Sequence, residues 1–176
     1  MSTFMIHCGG KQVNFAELSA IPLPERTDTY EPVPFSDLLV NTKRICDDIL
    51  DLEFVDQKLA VSKNEQRFFG LLQYKDPNNE EMGQAIGIRS SHDKSMSNGF
   101  CSGASVFVCD NMAFTGDITY MRKHTKNVMD DLQDKLVSVL YRSKDKFFNI
   151  IEDTKNMKEI SISTDDAYSF IGRALG

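Results

Sequence analysis

Apolar residues recur at helical spacing in two long stretches of the chain. The first stretch begins at Ser36, and the second follows Gly116. A helix that buries one face shows apolar residues three or four positions apart. The two apolar stripes are Leu38, Leu39, Ile45, Cys46, Ile49 and Leu50, and then Met129, Leu132, Leu136, Val139, Leu140, Phe147, Ile150 and Ile151. Both stretches are therefore predicted to be helices.

Between these helices the pattern changes to that of strands. The predicted strands are Phe54–Val61, Gln66–Tyr74, Gln84–Arg89 and Phe100–Cys109. Polar turn residues separate the first three, with Asn64 in one turn and Asp76-Pro77-Asn78-Asn79 in the next. Short turns favour antiparallel pairing. The predicted fold class is α+β: an antiparallel four-strand meander flanked by helices on one face, with a long helix after the last strand.

Shorter elements define the domain organisation. Asn14 can cap a helix over Phe15–Ala20, and Thr164 begins a last helix. A length of 176 residues suits one domain. We expect an N-terminal extended segment with a short helix over residues 1–35 and a single α+β domain over residues 36–176. The last helix begins close to the end of the chain, which indicates a C-terminal truncation or a naturally short chain.

The composition is that of an ordinary globular protein. Apolar residues make up 41% and charged residues 26% of the chain. No apolar run reaches the length of a membrane span, and the first ten residues lack the basic start of a secretory signal. The cysteines form no C-x-x-C pair, and we expect reduced, mostly buried thiols in a cytoplasmic protein. They are Cys8, Cys46, Cys101 and Cys109.

Charge is unevenly distributed along the chain. The net charge is −6, which argues against a broad basic DNA-binding face. Residues 1–88 hold 8 basic and 14 acidic side chains, and residues 127–176 hold 7 and 9. Residues 89–126 hold 5 basic and 3 acidic side chains, together with His92 and His124. The middle of the chain is the one locally basic stretch, so a basic patch on an acidic body is expected.

A polar loop is predicted directly after the third strand. It places six polar or charged residues in a row: Arg89, Ser90, Ser91, His92, Asp93 and Lys94. Arg89 could hold a phosphate or carboxylate through two parallel hydrogen bonds, with the serines adding donors. The alternative is a structural loop, in which Asp93 caps a turn and pairs with Arg89 or Lys94, and His92 bonds a backbone carbonyl. The sequence leaves both interpretations open.

A second polar segment precedes the long helix. It contains Arg122, Lys123, His124, Thr125 and Lys126. At a helix N-terminus these side chains would join backbone N–H groups and a dipole that favour an anion. A phosphate of a nucleotide or of a single strand fits that chemistry. The alternative is a solvated first turn with Thr125 as the N-cap.

A thiol, a carboxylate and an amide lie together at the end of the predicted fourth strand, as Cys109, Asp110 and Asn111. With His92 or His124, Cys109 could form a nucleophile pair or a metal site. Neither arrangement has diagnostic spacing, so a buried structural cysteine followed by a turn is favoured. We expect no metal and no cofactor, and assign no catalytic residue.

The second predicted strand contains three aromatic residues, Phe68, Phe69 and Tyr74. On an exposed sheet face they could form a platform on which nucleic-acid bases stack. Alternating apolar residues in a sheet are more often core, and the core interpretation is favoured.

Five short motifs occur in an order that resembles a known family. They are Tyr30–Pro34, Arg67–Gly70, Ile88–Ser95, Val106–Met112 and Arg122–Thr125. Over about residues 30–136 they resemble the phage/plasmid-like family DUF932, a domain of unknown function. The resemblance implies a setting in phages, prophages and plasmids, and thus in the cytoplasm of a host cell. The helix–meander–helix order is also similar in topology to single-strand annealing recombinases, which is an analogy of fold alone.

Three functions are compatible with these features. The leading hypothesis is a phage- or plasmid-encoded protein that binds single-stranded DNA through its backbone, with a role in annealing during recombination. A homo-oligomer is expected, since aligned basic patches would offset the negative net charge; no membrane partner is expected. One alternative is a host-directed protein-interaction or anti-defence protein that uses the acidic residues 1–88. The other is a small nucleotide-acting enzyme that uses His92, Asp93, Cys109 and His124.

Overall fold

The computed structural model of the chain describes residues 10–106 and 118–175. Within these ranges, six strands form one antiparallel sheet in sequence order. The strands are β1 (Lys11–Val13), β2 (Glu53–Val61), β3 (Arg67–Asp76), β4 (Asn79–Ser91), β5 (Asn98–Val106) and β6 (Ile118–Arg122). The helices are α1 (Phe15–Ser19), α2 (Phe35–Ile49), α3 (Val128–Glu159) and α4 (Thr164–Leu175). The α+β class, the antiparallel meander and the long helix after the last strand are confirmed.

The predicted count of four strands was wrong, because the sheet has six. β1 is only three residues long and is too short to show a period. β6 is five residues long and ends at Arg122, whereas the sequence pattern predicts Arg122 at the start of the long helix. Pairing with β5 along the register from Asn98–Arg122 to Ser102–Ile118 makes this short segment a strand. That pairing is a long-range interaction that local pattern does not reveal.

The long helix begins later than predicted. Its first residue is Val128, and its N-cap is Asn127, which has a left-handed backbone with φ of 61°. Thr125 was therefore wrongly predicted as the N-cap. Lys123 to Asn127 form a connection between β6 and α3. The anion site predicted at a helix start is instead a strand end followed by this connection.

The turns follow the predicted chemistry. Between β2 and β3, Ser62 Oγ donates to Asn64 Oδ1 at 2.7 Å, and the Ser62 N–H donates to the Arg67 carbonyl at 2.9 Å. Between β3 and β4, the Asn78 N–H donates to Asp76 Oδ1 at 2.8 Å. At the N-terminus, Asn14 caps α1 in a reciprocal pair with Glu17. These local hydrogen bonds fix the hairpin register.

The core lies on one face of the sheet, which we call the inner face. The pairing register aligns one row of inward residues across all six strands: Val13, Leu59, Gly70, Ile88, Phe100 and Tyr120. Gly70 leaves room for its neighbour, because an added Cβ would lie 2.9 Å from Phe68 Cζ. Buried residues of α1, α2 and the first part of α3 join this core cluster, and Phe147 and Ile151 of α3 form a second, smaller cluster with Met82. Helices thus cover this one face, as predicted.

The opposite face, which we call the outer face, carries a different set of residues. One row in register consists of Gln12, Ala60, Phe69, Arg89, Gly99 and Met121. Phe69 is 41% exposed and Met121 is 54% exposed. Strand alternation thus separates Phe68 from Phe69.

The long helix α3 has two parts. Its buried residues run from Val128 to Ile151, and the residues from Glu152 onwards are exposed or half-buried. α4 follows and contains no buried residue among those whose side chains are described. In the described ranges, no helix combines the length and the apolar character needed to cross a membrane.

Candidate functional site

The two polar segments meet at one end of the sheet. In an antiparallel meander, alternate connections lie at the same end, so the β2–β3 turn, the β4–β5 loop and the β6–α3 connection are neighbours. The His92 N–H donates to the Gln66 carbonyl at 2.7 Å. His124 Nε2 lies 3.2 Å from the Met96 carbonyl oxygen. We call this the basic end of the sheet.

Asn98 links the two segments inside the protein. Ser90 Oγ donates to Asn98 Oδ1 at 2.6 Å, and Asn98 Nδ2 donates to His124 Nδ1 at 3.3 Å. Ser91 Oγ donates to the Met96 carbonyl at 2.9 Å and accepts from the Met96 N–H at 3.0 Å. All of these groups are buried or half-buried. The network joins the polar segments to each other.

His92 belongs to the β4–β5 loop and packs against the extended segment before α2, residues 21–34, which we call the strap together with Phe35. Its ring stacks on Phe35 with centroids 3.8 Å apart and an interplanar angle of 11°. His92 Nε2 lies 3.0 Å from the Val33 carbonyl oxygen and donates to it. Tyr30 Oη donates to the His92 carbonyl at 3.0 Å. His92 Nδ1 is buried without a hydrogen-bond partner in the described part of the chain.

The strap residues are the part of the site that sequence reasoning missed. Tyr30, Val33 and Phe35 cover both histidines, and the Glu31 N–H donates to the His124 carbonyl at 3.0 Å. The Tyr30 and His124 ring centroids are 5.6 Å apart. The sequence signal for this segment is its prolines, Pro22, Pro24, Pro32 and Pro34, which favour an extended backbone but do not indicate what the segment covers.

Burial lowers the pKa of both histidines from the ordinary value of 6.5. For His92 the Val33 carbonyl and Asp93 oppose this shift, and for His124 the Met96 carbonyl opposes it while His92 adds to it. Both rings are therefore neutral near pH 7. The carbonyl contacts place the single proton of each ring on Nε2.

The stability of the fold is expected to decrease below about pH 6.5, where unfolded histidine binds a proton and these buried rings do not. Because the folded pKa is the lower one, the contribution is fully present above about pH 6.5 and is lost as the pH falls towards the folded values. Urea unfolding at several pH values between about 7.5 and 5 measures this. A free energy of unfolding that stays constant or rises on acidification over this range would contradict it.

Four lysines at the basic end point outwards, and we call them the basic rim: Lys63, Lys94, Lys123 and Lys126. All four are exposed, and within the described ranges none forms an ion pair. Lys94 Nζ lies 4.4 Å from the centroid of the Tyr30 ring. Two acids of the same end, Asp93 and Asp131, each form an ion pair with an arginine.

Those ion pairs engage Arg67 and Arg122. Arg67 Nε lies 3.0 Å from Asp93 Oδ2, and Arg122 Nη2 lies 2.6 Å from Asp131 Oδ2. Although burial opposes the shift, hydrogen bonds from the Ser95 side chain and backbone, followed by Arg67, keep the pKa of the Asp93 carboxyl below its usual value. Asp93 thus caps its loop, as the structural alternative predicts, but it pairs with Arg67 and not with Arg89 or Lys94. Arg122 is less free for a ligand than the rim lysines.

Arg89 lies apart from Ser90, because strand alternation turns it to the outer face. It sits between Phe69 and Gly99 in the pairing register, and its Nη2 contacts Met121 Sδ. Gly99 makes room for it, since an added Cβ would lie 3.2 Å from Arg89 Nε. No acid pairs with Arg89 in the described ranges.

The aromatic residues of β3 divide between the two faces. Phe68 and Tyr74 are fully buried in the core, which confirms the favoured interpretation for both. For Phe69 the core interpretation was wrong, because this residue is on the outer face next to Arg89 and its side chain is exposed. The pairing register of the sheet, and not the residue type, determines which of these aromatic side chains are buried.

The thiol hypothesis concerns Cys109, Asp110 and Asn111, which lie outside the described residues. Cys46 is buried and Cys101 half-buried, and burial raises the pKa of both thiols, to about 12 for Cys46. Among the described residues, no group of three or more His, Cys, Asp or Glu side chains could hold a metal ion.

Comparison with known proteins gives one match. A family model described as a domain of unknown function, DUF932, matches residues 22–176. The chain matches no curated protein and no solved structure.

Proposed function

Since the chain belongs to the DUF932 family, a domain of unknown function, we propose its role from its own surface: it binds single-stranded nucleic acid at the basic end. The strand would pass along the basic rim and onto the outer face beside Phe69 and Arg89. Binding is non-covalent and independent of base identity. The phage or plasmid origin and the part in strand annealing belong to the same proposal.

The observation that carries the proposal is the concentration of unpaired cations. The four rim lysines lie in three connections that contact one another, so their charges act on one surface. Four acids of this end, Glu31, Glu65, Asp93 and Asp131, each pair with a cation, while Asp130 in the first turn of α3 forms no ion pair among the described residues. Lysines without acidic partners can neutralise phosphates and release counterions.

The outer face supplies the second part of the proposed site. Phe69 is exposed, two residues from the start of β3, and Arg89 is its cross-strand neighbour on β4. An aromatic ring can stack on any base, and a guanidinium can contact phosphate or a base plane. A phosphate track with a stacking residue beside it is the usual construction of sequence-independent single-strand sites.

The buried histidines have a structural part in this proposal. They hold the three connections together and leave the rim lysines at fixed positions. His92 and His124 are not proposed to contact the ligand, because both rings are covered and internally bonded. This burial also argues against the enzyme hypothesis that relied on them.

Removing two rim charges is expected to weaken binding and to reduce its salt dependence. For the Lys123→Ala/Lys126→Ala variant we expect a roughly tenfold loss of affinity at moderate salt, and a log–log salt slope about 1.4 smaller. Fluorescence anisotropy with a labelled oligothymidylate over a salt series measures both quantities.

The matched control removes two lysines elsewhere. Lys75→Ala/Lys155→Ala makes the same change in net charge at positions outside the rim. It is expected to leave the slope unchanged. Equal loss in the two double variants, or no binding by the wild-type chain at low salt, would contradict the proposal.

Replacing Phe69 is expected to act differently. The Phe69→Ala variant should lose about 1–3 kcal/mol of binding free energy per stacked base, with an unchanged salt slope. The reason is that stacking releases no counterions. The same anisotropy series tests this, and wild-type affinity in the variant would remove the outer face from the site.

A second candidate function is contact with another protein through an apolar groove. The groove has a volume of about 290 Å³ and lies between α1, α2 and β2. Exposed apolar residues line it, namely Phe15, Val40, Phe54 and Val55. The groove is formed by the acidic N-terminal half of the chain, which the host-directed hypothesis takes as the binding surface. A partner captured by the wild-type chain and lost by Val55→Glu would favour this function.

A further inference from the structure

A polar layer separates the two apolar clusters of the core. Along β4, Gln84 lies between Met82 of the smaller cluster and Ile86 of the larger one. Along α3, Ser143 holds the corresponding position ahead of Phe147 of the smaller cluster. Gln84 and Ser143 are both buried. Polar groups at this depth are destabilising unless each of them finds a hydrogen-bond partner.

The nitrogen of the Gln84 side-chain amide has its full set of partners. Nε2 donates to Ser102 Oγ and to Ser143 Oγ, each at 2.8 Å. Ser143 Oγ donates its own hydrogen to the Leu140 carbonyl at 2.9 Å, so towards Gln84 it can only accept. The amide atom that faces Ser143 must therefore be the nitrogen, and this fixes which branch of the amide carries the oxygen.

The oxygen of the same amide lacks a donor. Gln84 Oε1 is buried, and no hydrogen-bond donor reaches it from residues 10–106 and 118–175. The Ser102 hydroxyl accepts from Gln84 but donates to no acceptor within the same ranges. Folded proteins rarely leave a buried amide oxygen unsatisfied, because it has lost its hydration without compensation.

A small cavity adjoins these two groups. It lies between β4, β5 and α3, and the space in it for the centre of a water molecule is about 10 Å³. Gln84, Ser102 and Phe147 line its buried side, and Ile150 and the exposed Lys146 line its outer side. A cavity of about this size holds one water molecule if that water finds at least two polar partners. Gln84 Oε1 and the Ser102 hydroxyl supply one acceptor and one donor.

We propose that this cavity is a binding site for one ordered water molecule. The water donates to Gln84 Oε1 and accepts from the Ser102 hydroxyl, so it joins β4 to β5 in the polar layer beneath α3. A larger ligand does not fit the volume, and an apolar one would leave Oε1 without a donor. The proposal does not depend on nucleic-acid binding, because the site lies within the core and not on the basic rim.

The first test is a high-resolution crystal structure of the full chain. We expect a single peak of electron density about 2.8 Å from both Gln84 Oε1 and Ser102 Oγ. Density that continues into the Lys146 side chain would show that its ammonium group satisfies Oε1 instead, and this would overturn the proposal. Density too large for a water molecule, or a collapsed cavity with no peak, would also overturn it.

The second test counts long-lived internal waters in solution by oxygen-17 relaxation dispersion. This measurement follows the water oxygen, so exchange of serine hydroxyl protons does not contribute to it. The Gln84→Met variant keeps the length of the side chain but removes the amide, and it should hold one long-lived water fewer than the wild-type chain. The matched control is Gln12→Met on β1, where the side chain is exposed, and it should leave the number unchanged.

Equal numbers of long-lived waters in the wild-type chain and in Gln84→Met would overturn the proposal. So would the loss of a water in Gln12→Met as well, because the effect would then not belong to this cavity. Circular dichroism checks that both variants are folded. If Gln84→Met does not fold, the wild-type crystal structure decides the question without a variant.

Discussion

The Phe35→Ala variant is expected to lose about 3–5 kcal/mol of its free energy of unfolding. Phe35 is almost fully buried at the start of α2. Its ring packs on Phe68 with centroids 5.4 Å apart and on His92 with centroids 3.8 Å apart. Truncation would leave a cavity that links the core to the basic end. Guanidinium unfolding of both chains measures the loss from the shift in midpoint.

The control for this variant is Phe69→Ala. Phe69 has the same side chain as Phe35, but it lies on the outer face of the sheet, one position after the buried Phe68 on β3. We expect a loss below about 1 kcal/mol, since much of the ring is already in water. Similar losses in Phe35→Ala and Phe69→Ala would contradict the placement of Phe35 in the core and of Phe69 on the exposed outer face.

The second large effect is expected in Asn98→Ala, with a loss of about 2–4 kcal/mol. Asn98 accepts from Ser90 Oγ and donates to His124 Nδ1, so its removal leaves two buried polar groups without partners. Each unsatisfied group costs about 1–3 kcal/mol. Because the two groups come from different segments, the variant should also loosen the β4–β5 loop from the β6–α3 connection. Amide hydrogen exchange at Met96 and His124 reports that loosening.

Lys123→Ala is the control for the Asn98 variant. Lys123 belongs to the same connection but is exposed and forms no ion pair among the described residues. Its replacement should change stability by less than about 0.5 kcal/mol. An Asn98→Ala chain as stable as Lys123→Ala would mean that the buried network contributes nothing.

The elements that local chemistry determines could be predicted from the sequence. The apolar stripe of α2, the turn at Asp76–Asn79 and the cap at Asn14 were all found where expected. Each depends on residues within a few positions of one another, so a single sequence contains the information. The meeting of the two polar segments follows from the strand order of the structure, which puts alternate connections at the same end of the sheet.

The parts that depend on distant contacts could not be predicted. β6 is a strand only because β5 lies beside it, and its last residue, Arg122, pairs with Asp131 of α3. Phe68 and Phe69 look alike in sequence, and only the register sends one inwards. From the sequence alone, His92 and His124 could equally be ligand-binding residues or structural ones. The structure shows that the strap covers both of them.

The structure therefore divides the polar segments by depth. The inner residues, Ser90, His92, Asn98 and His124, bond one another or the backbone. The lysines of the basic rim are exposed to solvent and lie on connections that the buried network holds together. Substitutions in the first group are expected to change stability, and substitutions in the second to change binding.

The most direct test of this division is an NMR titration of the His92 and His124 rings with and without a single-stranded oligonucleotide. We predict that both rings carry their proton on Nε2, titrate below the ordinary value of about 6.5, and keep the same pKa when the oligonucleotide is added. The backbone amides of Lys123 and Lys126 should shift instead. A ring that titrates at or above about 6.5, or whose pKa rises with the oligonucleotide, would contradict the account.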